Sequence, residues 1–218
     1  MQFNKKLGLG LTALTLAAAA HADVVFTEGF DNLAASGWTS KNLSSPVGID
    51  WYQGLGDPAS IVAQSGSATS YAQANFNSAL NGVGSIDNWL ISPLITLGSA
   101  STLTFYARGE NTDGFTDTFK VLFSAGSGTD TSSFSAVSAT ITATTSGWTQ
   151  YTIALPNAAT GRIAFEYVVA DANNANILGI DTVSIATVSA VPEPATYGLM
   201  AMGLMGVALL RRRSSNAS

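Results

Sequence analysis

The sequence predicts an all-β protein, built as an antiparallel sandwich or barrel, with a separate segment at each end of the chain. Three observations support this. Many segments of the central part alternate apolar and polar residues with a period of two. Clusters of Gly, Ser, Asn, Asp and Thr separate them, as turns separate short strands. No long stretch of the central part shows a persuasive helical period.

The alternating segments define the expected strands in chain order. The first is Val24–Phe30, and the next is Trp89–Ser92, a short apolar run that Pro93 ends. The remaining ones are Ser101–Arg108, Asp117–Phe123, Thr149–Leu155, Arg162–Val169 and a last strand around Val183 and Ile185. We expect the apolar row of each strand to face the core, for example Leu103, Phe105 and Ala107, or Ile163, Phe165, Tyr167 and Val169.

Residues 1–22 have the layout of a secretory signal peptide. Lys5 and Lys6 provide the positive start, and an apolar stretch follows them. Ala20 and Ala22 place small residues at the −3 and −1 positions of a cut before Asp23. The alternative, a buried core helix, does not explain the charge, length and cleavage pattern together. Signal peptidase is therefore an expected partner, and we expect an exported mature chain that begins near Asp23.

Residues 191–218 combine a short rigid motif, an apolar segment and a cluster of positive charge. The motif is Pro192, Glu193 and Pro194, and the cluster is Arg211, Arg212 and Arg213. Between them, residues 195–210 carry no charge. A bilayer crossing takes about 20 apolar residues, so these 16 residues are marginal in length, and we expect them to insert as a short transmembrane helix. The arginines hold its end in the cytoplasm according to the positive-inside bias.

This C-terminal arrangement resembles the PEP-CTERM sorting signal. The resemblance implies recognition by an exosortase-like enzyme, cleavage near the motif, and transfer to the cell surface or extracellular matrix. It also implies a Gram-negative bacterium that makes exopolysaccharide. The C-terminal helix would then be a transient anchor in the inner membrane. The alternative is a plain C-terminal anchor in which the Pro-Glu-Pro string is a chance linker.

The composition of residues 23–190 limits the possible chemistry. They fit one domain with a hydrophobic core. Thirteen acidic residues against four basic ones give a net charge of about −9. Nucleic acid is not an expected partner, because phosphate binding needs a basic face. The chain has no Cys, and its single histidine is His21 in the predicted signal peptide. A Ser-His-Asp triad, a Cys-His dyad and an ordinary zinc site are therefore excluded from this part.

Four segments spread over residues 23–190 carry a second resemblance. They are Phe26–Asp31, Asp87–Pro93, Gly147-Trp148 and Gly179–Ile185. Together they resemble the choice-of-anchor J domain, which is similar to MAM and cleaved-adhesin modules. The resemblance implies a jelly-roll β-sandwich, an adhesive or binding role, and often a structural calcium ion. The loop-rich stretch Lys41–Gln73 departs from the family in its spacing.

Two acidic side chains, Glu28 and Asp181, fall on predicted apolar faces. Their neighbours on those faces are Val24, Phe26 and Phe30 for the first, and Val183 and Ile185 for the second. A carboxylate on such a face is costly unless it is paired or binds a cation. The first and last strands of a jelly roll can be neighbours, so we expect the two acids to share a Ca²⁺, with Asp31 or a backbone carbonyl contributing. The alternative is that each acid lies at a strand end and bonds backbone N–H groups or water.

Another pair of acids, Asp113 and Asp117, lies in a Gly-containing turn. Their spacing lacks the twelve-residue loop and terminal Glu of an EF-hand. We expect a solvated turn there, and a second ion site is the alternative.

Four tryptophans could stack on sugar rings, and ordinary packing is the alternative for each. Trp51 and Tyr52 follow Asp50 in a loop-like region, which makes them the candidate glycan contacts. Trp89 lies in an apolar run and is expected in the core. Trp148 lies on the strand face opposite Tyr151 and is expected to be partly exposed. For Trp38, the sequence gives no further indication of exposure or packing.

These observations predict a non-enzymatic exported surface or matrix protein. Its β-sandwich would serve adhesion or binding in exopolysaccharide or biofilm material. A carbohydrate-binding module is the alternative. A carboxylate-based glycoside hydrolase is a third class, because acid–base chemistry is limited here to carboxylates, Tyr or Lys.

Overall fold

The structure is a computed structural model that describes residues 22–98, 100–188 and 203–204 of the 218-residue chain. Residues Ala22–Ser189 form one compact unit. Residues 1–21 of the predicted signal peptide, the Pro-Glu-Pro motif and the arginine cluster lie outside the described residues, as does segment 195–210 apart from 203–204. No helix among the described residues is long and apolar enough to cross a bilayer.

Short strands joined by loops and single 3₁₀ turns make up this unit. The strands are β1 (Ala22–Glu28), β2 (Thr39–Asn42), β3 (Tyr52–Gln53), β4 (Ala72–Asn75), β5 (Ile86–Ile91), β6 (Ile95–Thr96), β7 (Ser101–Gly109), β8 (Thr118–Ala125), β9 (Ser135–Ala136), β10 (Ile141–Thr142), β11 (Thr149–Leu155), β12 (Thr160–Val169) and β13 (Ile177–Val188). The 3₁₀ turns are Leu33–Ala35, Phe76–Ser78, Leu80–Gly82, Thr131–Ser133 and Ala172–Asn174. Every strand predicted from alternation is present, so this part of the sequence prediction is confirmed.

Two antiparallel sheets pack face to face in a jelly-roll β-sandwich, which confirms the predicted fold class. Sheet A has the strand order β11-β7-β13-β4-β3, and β1 also pairs with β13. Sheet B has the order β10-β8-β12-β5-β2, and β6 and β9 add to β12 and β8. The first and last strands are neighbours, as the jelly-roll resemblance implied.

Aromatic rings fill the centre of the core between the sheets. The Phe105 ring lies 4.9 Å from Phe165, 5.3 Å from Tyr151 and 6.1 Å from Phe119, measured between centroids. Such pairs add stabilisation beyond the burial of their area. The side chains that alternation assigned to the core are buried in β7, β8 and β12, so the inward rows were predicted correctly there.

A β-bulge in β1 changes the face of one predicted core residue. The pairing of β1 with β13 shifts between Val24 and Phe26. Phe26 packs against the core, whereas Val24 is 62% exposed. The prediction that Glu28 shares a face with Val24 is therefore wrong, because the inserted residue breaks the period of two.

A second bulge interrupts β13. Its pairing with β7 shifts between Asp181 and Ser184, and Thr182 adopts a positive φ of 49°. Asp181 pairs with Tyr106 on the outer face of sheet A, while Val183 faces the core. The prediction that Asp181 shares a face with Val183 and Ile185 is wrong for the same physical reason.

We predict that the variant Phe105→Ala loses about 3–5 kcal/mol of unfolding free energy, because it empties the aromatic centre of a core that cannot collapse freely. Urea unfolding followed by tryptophan fluorescence measures this loss. The matched control is the variant Thr104→Ala. Thr104 directly precedes Phe105 on the same strand and lies on the outer face, so this variant should lose less than about 1 kcal/mol of unfolding free energy. Similar losses in the two variants would contradict the placement of the core.

Candidate functional site

Glu28 and Asp31 line one cleft beside the end of β1. The cleft has a volume of about 270 Å³, and its lining residues are Thr27, Glu28, Gly29, Asp31, Ser65, Gly66, Thr182, Val183 and Ser184. Glu28 pairs with Val183 of β13, and its Oε1 accepts a hydrogen bond of 2.7 Å from the backbone N–H of Phe30. Asp31 Oδ1 accepts one of 2.6 Å from the hydroxyl of Ser70. Glu28 is thus the last residue of β1, and Asp31 lies in the turn that follows it.

Asp181 is fully buried, although it lies on the outer face of sheet A. The loop of residues 54–71 covers it. Its Oδ2 accepts hydrogen bonds from the backbone N–H groups of Gln64 at 2.8 Å and Ser65 at 3.1 Å. Its Oδ1 accepts one of 2.5 Å from the N–H of Thr182. Burial raises the pKa of Asp181, and the backbone N–H groups oppose that shift. Asp181 therefore fastens the loop to the last strand.

The three acids predicted to bind calcium are brought to neighbouring strands and turns, but they do not form a cage of carboxylates. No group of three His, Cys, Asp or Glu in the described residues is arranged to hold a metal ion. The hydrogen bonds of Glu28 and Asp181 to backbone N–H groups are those of the alternative interpretation. A Ca²⁺ in this cleft would need backbone carbonyls and water among its six to eight oxygen ligands. Calcium binding stays a prediction.

The predicted glycan contacts border a second, larger cleft. It has a volume of about 520 Å³ and is lined by Asp31, Asn32, Leu33, Ala34, Trp51, Tyr52 and Gln53. Trp51 is only 5% exposed, and its Nε1 donates a hydrogen bond of 3.1 Å to the carbonyl of Asn88. The ring is turned into the core against Tyr167, which is the ordinary packing that was the alternative for Trp51.

Tyr52 lies half-buried beside this cleft. Its hydroxyl accepts hydrogen bonds of 2.8 Å from the side-chain amides of Gln73 and Asn75. Burial raises the pKa of Tyr52 to about 12, and the bond from Gln73 acts in the opposite direction. The phenol is therefore neutral at physiological pH, and a glycan contact through it stays a prediction.

The other three tryptophans differ in exposure. Trp38 and Trp89 are buried, with 8% and 7% of their surfaces exposed. Trp89 stands on the outer face of sheet B, in a small apolar cluster under Phe134, so it is buried as predicted but outside the main core. Trp148 is half-buried, as predicted, and lies on the outer face of sheet A.

Sequence reasoning missed the position of Arg108. Arg108 pairs with Gly179 on one side, and Trp148 precedes the residue that pairs with Ala107 on the other. Trp148, Arg108 and Gly179 therefore lie side by side on this outer face, on neighbouring segments of the chain. Alternation along β7 does place Arg108 on the outer face, but only the strand order of sheet A gives its neighbours.

Asp117 corrects the expectation of a solvated turn. Asp113 is exposed as predicted, whereas Asp117 is only 4% exposed. The Asp117 carboxylate accepts hydrogen bonds from the Tyr167 hydroxyl and from the backbone N–H of Asn176. Burial raises its pKa, and the bond from Tyr167 is the largest opposing effect. Asp117 is thus a buried acceptor that joins β8, β12 and the turn before β13.

Residues 190–213 match the model of the PEP-CTERM protein-sorting motif. The chain therefore carries this motif at its C-terminus, as its sequence indicated. A sorting signal of this kind implies export and sorting to the cell surface. No curated protein matches the sequence.

Solved structures with the same sandwich include two cleaved adhesin domains of Lys-gingipain from Porphyromonas gingivalis. The K3 domain has a TM-score of 0.61 at 23% identity, covering 77% of this chain and 99% of its own. The K1 domain has a TM-score of 0.62 at 24% identity, covering 75% and 98%. A cyclase from Fischerella sp. TAU has a TM-score of 0.52 at 12% identity, covering 76% and 97%. The fold is thus that of cleaved adhesin domains, and it also occurs in an enzyme, so it does not decide the activity.

We expect calcium to raise the melting temperature of residues 23–190, and the double variant Glu28→Gln, Asp181→Asn to abolish this gain. Neutralising both acids removes the charge that would hold the cation. Thermal unfolding in calcium and in EDTA measures the gain for both proteins. The control is Asp113→Asn, because Asp113 is an exposed acid outside the cleft. This variant should keep the calcium-induced gain in melting temperature. An undiminished gain in the double variant would contradict the site.

Burial of acids makes stability depend on pH. Asp117, Glu166 and Asp181 all have raised pKa values. A carboxyl group whose pKa is higher in the folded state keeps more protons there. Its contribution to stability is complete below the unfolded-state pKa and is lost as the pH rises through the folded-state pKa. We therefore expect these groups to lower the unfolding free energy as the pH rises above about 4.

The variant Asp117→Asn tests this expectation, because its side chain cannot ionise. Urea midpoints measured between about pH 4 and pH 7 should fall less in this variant than in the wild type. Asp113→Asn is the control and should follow the wild-type curve. If the urea midpoints of Asp117→Asn and wild type changed in parallel with pH, Asp117 would not contribute to the pH dependence of stability.

Proposed function

We propose that this chain is a non-enzymatic surface protein that an exosortase-type system sorts and cleaves, and that its sandwich remains as a binding module in an exopolysaccharide matrix. The observation that carries the proposal is the position of the sorting motif. The motif match begins at residue 190, immediately after the last strand ends at Val188. The proposed route includes signal peptidase at the N-terminus and a transient anchor in the inner membrane.

The order of strand and motif supports release of an intact domain. The last strand, β13, pairs with β1, β7 and β4, so it lies inside sheet A. Its pairing residues all precede residue 189. A cut near Pro192–Pro194 would therefore remove no residue of the sandwich, and the released domain would keep its core.

The surroundings of the buried acids support a role without catalysis. Asp117, Glu166 and Asp181 have raised pKa values, which is a property that general acids share. All three are at most 8% exposed. Asp117 and Asp181 accept structural hydrogen bonds, and Glu166 lies 3.4 Å from Lys120. A catalytic carboxyl group must reach its substrate, so these acids suit stabilisation of the fold.

A carbohydrate-binding module proper is the second candidate. The half-buried indole of Trp148 on the outer face of sheet A favours it, because a partly exposed aromatic ring held in place suits a sugar ring. In both candidate functions the sandwich binds polysaccharide. They differ in the main role of the protein, which is retention in the matrix in the first candidate and sugar binding itself in the second.

Intact mass of the protein recovered from the outer surface of its host tests the sorting route. We expect a chain without residues 1–22 that ends near Pro194. The control is a variant with Pro192, Glu193 and Pro194 replaced by alanine, which should keep Arg211–Arg213 and remain with the membrane. A wild-type protein that retains the arginines would contradict exosortase cleavage and indicate a tethered binding protein.

A further inference from the structure

Trp148 is held in one position on the outer face of sheet A. Its Nε1 donates a hydrogen bond of 2.9 Å to the carbonyl of Val62. Its ring meets Tyr71 edge to face, with 5.8 Å between centroids and 77° between planes. Gly179 lies under it, where an added Cβ would come within 2.9 Å of Trp148 Cη2. The absence of a side chain at Gly179 thus lets the indole lie across the sheet in a fixed, half-exposed position.

Arg108 lies beside this ring, because Gly179 is its partner across the strand pair. It is half-buried, and burial lowers the pKa of its guanidinium, although Tyr71 and Glu110 nearby act in the opposite direction. Its Nε donates a hydrogen bond of 3.3 Å to the carbonyl of Gly109. Within the described residues, no carboxylate forms a salt bridge with Arg108.

The other three cations of the domain are engaged differently. Lys41 and Lys120 each lie 3.4 Å from a carboxylate, Asp130 and Glu166. Arg162 donates hydrogen bonds to the carbonyls of Ser92 and Ser127. Among the described residues, Arg108 makes a single hydrogen bond to a carbonyl, and a partly desolvated guanidinium without a direct carboxylate contact is costly. An anion at this position would offset that cost.

Beside Arg108, the outer face of sheet A carries side chains with hydrogen-bonding groups on the paired strands β7 and β11. Tyr106 and Gln150 are cross-strand partners next to Arg108, and Thr104 and Thr152 form the following pair. Gln150 and Thr152 are exposed, and Tyr106 and Thr104 are half-buried. Hydroxyl and amide groups of this kind donate to and accept from the hydroxyl groups of sugars.

We propose that this face, defined by Trp148, Arg108 and Tyr106, binds an acidic sugar unit of a polysaccharide. The indole packs against the sugar ring, and the guanidinium holds its anionic group, a carboxylate or a sulfate ester, through paired hydrogen bonds. The inference rests on the proposed retention in exopolysaccharide and deepens it by naming the class of sugar. Because the domain carries about −9, it repels a polyanion elsewhere, and binding depends on this local cation.

Affinity electrophoresis of the purified domain, residues 23–190, tests the proposal in gels that contain polygalacturonate, dextran sulfate or neutral dextran. EDTA is present throughout, so that calcium cannot bridge two sets of carboxylates. We expect retardation by at least one acidic polymer and little by dextran. Arg108→Gln should weaken the binding about tenfold or more, because it removes a charge-assisted pair of hydrogen bonds. Trp148→Ala should weaken it as well.

The matched control is Lys41→Gln, which removes the same charge from an exposed site on sheet B. It should bind as the wild type does, and melting temperatures of all variants establish that they are folded. Arg108→Lys keeps the charge without the planar fork and should retain part of the affinity. The polymer that binds identifies the anion as carboxylate or sulfate.

Three outcomes would overturn the inference, and they separate it from the proposed function. Equal binding by Arg108→Gln and wild type would place the acidic sugar elsewhere and leave retention in polysaccharide intact. Binding to dextran alone would show that the domain prefers a neutral sugar, which overturns the inference and also leaves retention in polysaccharide intact. No retardation by any of the three polymers would overturn the inference and also count against retention in polysaccharide.

Discussion

The pairing of β13 with three other strands is the constraint on which the rest of the structure depends. β13 lies against β7 and β4 along its first half and against β7 and β1 along its second. Its apolar residues Leu178, Ile180, Val183 and Ile185 are all at most 1% exposed, so the same strand carries the sheet and a large part of the core. A backbone with neighbours on both sides satisfies its own hydrogen bonds, which lets it lie in the dry interior.

Each candidate site also depends on β13. Its bulge turns Asp181 to the outer face, where the carboxylate receives the N–H groups of the covering loop. Its Gly179 leaves the space that Trp148 occupies. Its end at Val188 directly precedes the sorting motif. The sheet, the proposed binding face and the start of the sorting motif thus all lie on or next to this strand.

Charge is distributed unevenly over this acid-rich sandwich. The desolvation of the buried acids Asp117 and Asp181 is offset by hydrogen bonds from backbone and hydroxyl groups, whereas the buried Glu166 lies beside Lys120. Four basic side chains cannot pair with thirteen acids, so most acids depend on water or on hydrogen bonds for their solvation. Within this field, the half-buried Arg108 lies on the outer face of sheet A, and in the part of the chain that the structure describes it makes only one side-chain hydrogen bond, to the carbonyl of Gly109.

The sequence by itself determined the strands and the core, because a period of two is a property of one strand and its apolar residues must be buried. It also determined the sorting motif, which is a linear signal. Tertiary structure decided the rest. An inserted residue reversed the face of Asp181, the core took in Trp51, and Arg108 and Trp148 came together through the order of strands in sheet A. Bulges and strand order arise from contacts between distant segments, so local periodicity does not contain them.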